Sequence, residues 1–151
     1  MNIIEFLKKD HQKYGRELTK MRRGLQEVGL AEKITNLISH CELHESVEYR
    51  IYSVLNGFPK QEIRCDWILN YKANHERMWE LLEKLKNSMW TENILLIQNA
   101  FFDFHDFLER HMRTQQLSLF PIMQTVLSNH MRQDLGGRAE KHYLRFLSPS
   151  L

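Results

Sequence analysis

The stretch "HCELHESVEYRIY", His40 to Tyr52, decides how this chain reads. Cys41, Ile51 and Leu55 mark the buried seam of a helix, and the seam positions between them are filled by His44 and Glu48 rather than by leucines. An imidazole and a carboxylate buried without partners would cost the fold several kcal/mol, so other parts of the chain must meet them. Upstream the same seam continues through Ile34 and Leu37, and downstream Gly57 and Pro59 stop it.

The neighbouring segments repeat the pattern. Ile4, Leu7, Tyr14, Leu18, Met21, Leu25 and Val28 form a first helical seam whose missing member is His11. Asn2 and Glu5 suit a capping box at its start, and Gly29 a left-handed stop after Val28. A third seam carries Ile68, Tyr71, Met78, Leu82 and Leu85 with His75 among them; it ends near Asn87, before an expected N-cap at Thr91. The fourth runs through Ile94, Ile97, Phe101, Phe104, Leu108, His111, Gln115, Ser118 and Ile122, and Gly136 and Gly137 are expected to end it. Pro121 lies inside that pattern, where its missing N–H frees the Leu117 carbonyl and predicts a kink.

Long helical segments with short connections make antiparallel neighbours, so the expected architecture is a single all-α domain over residues 1–151. It is an up-down-up-down four-helix bundle, with "RAEKHYLRFL" as a short fifth helix against it. Strand signals, repeats and low-complexity linkers are absent from the sequence. The 151 residues are 42% hydrophobic, enough for a real core, and 21 basic residues against 19 acidic ones are mixed along the helices without blocks of like charge. Nucleic acid and anionic membrane are therefore not expected partners. The two cysteines, Cys41 and Cys65, have no metal-motif spacing and suit free thiols in a reducing cytosol, and the N-terminal stretch lacks the order of a signal peptide.

Counting along the helices from each turn puts His11 level with Glu48 and His44 level with His75. His111 fits less well, offset by about two helical turns at most, and His105 with Glu109 is the competing register, at a better level but directed to the flank of the seam. Histidines and a carboxylate aimed into the middle of a bundle are the ingredients of a bundle-core metal site. Imidazole and carboxylate together suit iron, manganese or zinc, and without cysteine ligands iron–sulfur clusters drop out. No nucleophile with a nearby base and no glycine-rich phosphate loop stands out, so hydrolase and nucleotide-binding functions have no support.

These residues resemble the hemerythrin-like, or HHE cation-binding, family. His11 stands alone on the first helix, "HESVE" spans His44 to Glu48, His75 lies in "NHERMWELL", and "HMRTQQLSLFP" runs from His111 to Pro121. The Leu-Phe-Pro ending is a habit of that family and favours His111 over His105. The resemblance implies a four-helix bundle around a non-haem di-iron centre that binds or senses oxygen, or handles nitric oxide or peroxide. The pattern is nearest to the repair-of-iron-centres proteins, although the chain has no room before His11 for their cysteine-bearing segment.

Carried over residue by residue, His11, His44, Glu48, His75 and His111 are the implied ligands, with Glu48 a bridging carboxylate. Gln115 stands where a second bridging carboxylate is expected and brings no negative charge. Where the oxygen carriers have a further histidine near His75, this chain has Tyr71 and Trp79. Two functional expectations follow: a di-iron protein that senses or processes O2, NO or peroxide, or a non-catalytic, iron-responsive module with a mononuclear or degenerate site. The exposed faces leave room for a homodimer.

The remaining candidates read as ordinary residues. His40, His105, His130 and His142 are assigned to packing or surface, with His40, one turn before His44, the first exception to consider. Glu45 is read as solvated, close enough to Glu48 to become an extra carboxylate if the helix rotates. Tyr14, Cys41 and the Phe101, Phe102, Phe104 and Phe107 group read as core, and Gly15 either opens space for a small ligand or allows close helix packing.

Overall fold

The structure of the protein is a computed structural model that describes residues 1–25 and 29–147. Helix α1 (Ile3–Arg23) starts at Asn2, whose Oδ1 accepts from the backbone N–H groups of Ile4 at 2.9 Å and Glu5 at 3.1 Å. It stops at Gly24, earlier than the periodicity suggests, and Val28 lies outside the described residues. Gly29 is left-handed as expected, with φ of 88°, and it opens α2 (Leu30–Leu55) instead of closing α1. An irregular connection with Ile63 buried leads through one helical turn, α3 (Asp66–Leu69), to α4 (Tyr71–Trp90).

Helix α5 (Ile94–Thr114) is capped by Asn93 and not by Thr91. Asn93 has the extended backbone that an N-cap needs and accepts from Leu95 and Leu96, whereas Thr91 keeps helical dihedrals and donates its hydroxyl back to the Ser88 carbonyl at 2.6 Å. Pro121 acts through the turn before it. Having no N–H for the Leu117 carbonyl, it loosens the ladder into a π turn, Gln115–Leu119, in which the Phe120 N–H reaches the Gln115 carbonyl five residues back. Helix α6 (Phe120–Val126) then ends at Leu127, whose backbone is extended.

The C-terminal segment departs from the expected short helix. It forms α7 (Asn129–Leu147), opened by Ser128, whose Oγ accepts from the Met131 N–H at 3.1 Å. Gly136 and Gly137 do not end a helix; they lie inside this one. Gly136 is where α7 crosses the start of α1: a Cβ there would collide with the Met1 carbonyl oxygen and with the backbone of Asn2 and Ile3. Helix α7 packs along α1 and also touches α2, α4 pairs with α5, and α2 meets α1 and α4. Among the described residues there is no strand, and no helix is long and apolar enough to cross a membrane.

The core is split in two. One apolar cluster contains Ile3, Leu7, Ile51, Leu55, Trp67, Tyr71, Leu119 and Met123. The other contains Tyr14, Leu18, Ile34, Cys41, Met78, Leu82, Phe101, Phe104 and Leu108. On every long seam the boundary falls at the polar residues: Leu7 then His11 then Tyr14 on α1, Cys41 then His44 and Glu48 then Ile51 on α2, Tyr71 then His75 then Met78 on α4, Leu108 then His111 and Gln115 then Leu119 along α5.

Gly136→Ala should lower the unfolding midpoint by an amount corresponding to about 1–3 kcal/mol, although alanine is the better helix former, because backbone must move to admit the methyl. At Gly137 a Cβ would meet nothing within 4 Å, so Gly137→Ala should raise the midpoint, by up to about 1 kcal/mol. Thermal denaturation of the two variants beside the parent measures both signs.

Candidate metal centre

Glu48 has no exposed surface, and its carboxylate is the hub of the polar layer. The His44 Nε2–H, one turn back on α2, donates to Oε1 at 2.8 Å; the His111 Nε2–H on α5 lies 3.0 and 3.1 Å from the two oxygens; and the Gln115 amide nitrogen donates to Oε1. Burial alone would raise the pKa of Glu48, but the charges and hydrogen bonds of His111 and His44 outweigh it and hold the carboxyl well below its usual range.

His44 is held from the other side by Asp10 on α1, which accepts from Nδ1 at 2.5 Å. Burial opposes its charge, yet Glu48 and Asp10 together push its pKa up to about 10. Asp10 is itself only 6% exposed and is also met by His40 Nε2 at 2.8 Å and by the Tyr143 hydroxyl of α7, which donates at 2.6 Å. These contacts overcome its desolvation and keep it ionised far below the ordinary carboxylate range. His40 extends the chain outward to Glu17, 3.2 Å from Nδ1. A histidine ligand oriented by a carboxylate at its second nitrogen is the arrangement that fixes ring direction in metal sites.

On the α4 side, His75 does not reach Glu48 directly. Its Nδ1 meets Glu45, while the Trp79 indole N–H donates to Nε2 at 2.9 Å. Glu45 is 5% exposed, which corrects its reading as a solvated side chain: it turns toward α4, where His75 meets it, while Glu42, Ser46 and Tyr49 carry the solvated face of α2. Burial first, and then the charge of Glu48, raise the Glu45 pKa. Glu45, Glu48 and His111 each offer a ligand atom within 4.8 Å of the others.

His11 completes the layer. Its ring lies 5.3 Å from that of His44 and is stacked 5.9 Å from Phe120, and its buried Nε2 has no hydrogen-bond partner. Burial, followed by repulsion from His44, lowers its pKa to about 3, which keeps it in the neutral form that ligates metals. His111 Nδ1 and Gln115 Oε1 are likewise buried without partners. Three unpaired polar atoms in one layer, beside two buried carboxyls, fit a cation binding among them.

Of the sequence-derived positions, His44, His111 and Gln115 each reach Glu48, His75 meets Glu45, and His11 lies against His44. The competing pair stays apart: His105 sits between the Arg22 guanidinium at 3.2 Å and Glu109 at 3.0 Å, with Glu109 largely exposed. Asp10 and Tyr143 were not anticipated. Asp10 completes the three-and-four spacing from Leu7 to Tyr14, a signal present in the sequence, whereas nothing local to Tyr143 marks it. Gly15 does not serve close helix packing, since a Cβ there would meet nothing within 4 Å. A surface basin of about 280 Å3 between α4 and α5, with Arg77 and Arg110 on its sides, has His111 as a wall and gives the layer its approach from solvent. The chain matches no family model, no curated protein and no solved structure.

These shifts fix how stability varies with pH in chelator-treated protein. His11 stays neutral down to about 3 when folded but takes a proton near 6.5 when unfolded, so stability falls as pH drops from 6.5 toward 3. The stability contributed by Asp10 is present above its unfolded value of 3.8 and is also lost as pH falls. His44, raised to about 10, contributes fully below 6.5, and its contribution is lost as pH rises toward 10. Glu45, raised to about 10, contributes fully below 4.5 and likewise loses its contribution as pH rises, so the unfolding midpoint should be nearly flat between about 4.5 and 6.5 and decline on both sides, and His44→Gln should make the alkaline decline shallower. Urea titrations across this range supply the comparison.

Proposed function

We propose that this chain is a hemerythrin-like protein whose α1, α2, α4 and α5 alternate up and down as a four-helix bundle around non-haem iron. In this proposal it works in a reducing cytosol to sense or process dioxygen, nitric oxide or peroxide at a two-ion centre. The observation that carries the proposal is the single polar layer contributed by all four helices between two separate apolar clusters. Burying this much polarity in mid-core is unfavourable unless a bound group uses it.

The donor set supports iron, with manganese and zinc as the other ions it suits, because imidazole and carboxylate donors converge and the Cys41 thiol is held protonated by burial in the apolar cluster. Iron bound here would supply one-electron chemistry. Glu48 holds the middle of the site, and it would hold the cation together with Glu45 and His111. Asp10 fixes the ring of His44, while Glu45 and Trp79 fix that of His75. The two apolar clusters keep water away and admit an uncharged gas.

Gln115 favours a second reading, a mononuclear and non-catalytic site, because its amide nitrogen faces Glu48 and it adds no negative charge to hold a second ferric ion. Metal per chain on anaerobically purified protein, with optical spectra before and after air, separates the readings. About two irons with new near-ultraviolet absorption in air is the expected result; one ion with no spectral change supports the second reading, and no metal sinks both. His111→Ala should lose metal while His105→Ala keeps it, Gln115→Glu should tighten a second ion, and Asp10→Asn should weaken binding by roughly 10–100-fold.

A further inference from the structure

Beyond Tyr143 and Phe146 of α7, the furrow between α1 and α2 continues as a groove of about 560 Å3, a volume within the roughly 300–1,000 Å3 range of small-molecule sites. Its floor is Met21, Leu37 and Leu43, all buried, and its wall at the α7 end is Phe146, an aromatic ring left 54% exposed. The opposite end is cationic. Lys20 and Lys33 line it there, each three residues from the end of its helix, Arg23 on α1 and Leu30 on α2, so the two stand at one level across the groove. Among the described residues the Lys20 ammonium has no ion-pair partner. The acidic side chain of the lining, Glu17, meets His40 Nδ1 at 3.2 Å, and the His40 ring lies 6.0 Å from that of Tyr143, which places the negative charge toward the α7 end.

We infer that this groove binds a medium-chain aliphatic carboxylate, its head between Lys20 and Lys33 and its chain laid over Met21, Leu37 and Leu43 to end against Phe146. A lysine ammonium meets a single carboxylate as a point charge, and the lysine stems extend the apolar walls. Charge sets the direction, because the reverse pose would put the carboxylate beside Glu17. Apolar burial adds to it, since the exposed Phe146 ring stays in water until a chain covers it. Lys13 lies about 10 Å along α1 from Lys20, toward Glu17, and meets the chain instead of the head. None of the candidate metal ligands lines the groove, so the inference stands apart from the metal-centre proposal.

Titration of the full chain with decanoate, kept below the concentration at which it forms micelles, tests this by nuclear magnetic resonance. Decanoate should shift the Met21 methyl and His40 ring signals saturably, while the methyl of Met123, buried in the other apolar cluster, stays in place. Decanol, with the same chain and no charge, should bind at least tenfold more weakly, and added salt should weaken decanoate binding alone. Lys20→Ala should lower decanoate affinity about fivefold and leave decanol affinity unchanged, whereas Lys13→Ala should change neither by more than about twofold. Phe146→Ala should weaken both ligands. All three side chains are exposed, so these substitutions leave the core intact. Decanol binding as tightly as decanoate would make the occupant a neutral apolar molecule and overturn the carboxylate, and a larger loss at Lys13 than at Lys20 overturns its direction. Shifts that never saturate, or that reach Met123 equally, overturn the groove as a small-molecule site.

Discussion

A carboxylate with no exposed surface, Glu48, is the constraint on which the rest of this structure depends. Removing it from water is unfavourable by far more than a single neutral hydrogen bond returns, so it must be surrounded by donors. His44 supplies one from its own helix, His111 supplies one from α5, and Gln115 one from the π turn that follows it. Charging His44 to serve Glu48 creates a second demand, met by Asp10, and burying Asp10 creates a third, met by His40 and by Tyr143 of α7. The C-terminal helix is thus tied into the polar layer at two removes from Glu48, and Gly136 lets it lie close enough on α1 for the contact to form.

The layer also explains why the helices are interrupted where they are. The π turn at Gln115–Leu119 widens the helix here; Leu119 and Phe120 at its end are both buried, with Phe120 stacked against His11. Pro121 makes that widening nearly free, because the hydrogen bond it disrupts is one proline cannot make. Two apolar clusters then close the layer from both ends, and the low polarity they impose lowers the pKa of His11 and raises that of Glu45.

Several features were misjudged from sequence for one shared reason. Glu45 looks solvated because it follows a seam residue by one position, which on an isolated helix points toward the flank; here the flank of α2 is covered by a neighbouring helix. Gly136 and Gly137 look like a helix stop because glycine weakens helices, but close approach to the α1 backbone outweighs propensity at Gly136. Thr91 and Asn93 are both acceptable caps by residue type, and the backbone dihedrals at the turn chose between them.

Composition and spacing by themselves determined that the chain is helical, where its main seams run, and that His11, His44, Glu48, His75, His111 and Gln115 interrupt them. An apolar face is a property of residues three and four apart on one element, and the sequence displays it directly. The partners of the buried polar groups were decided only in three dimensions. Tyr143 meets Asp10 across more than a hundred residues, Glu45 stands between Glu48 and His75, and His111 rather than His105 faces the hub. A buried charge specifies that it needs a partner, but which side chain comes within hydrogen-bond reach depends on how the helices cross and where their turns widen, and those are set by packing the whole chain at once.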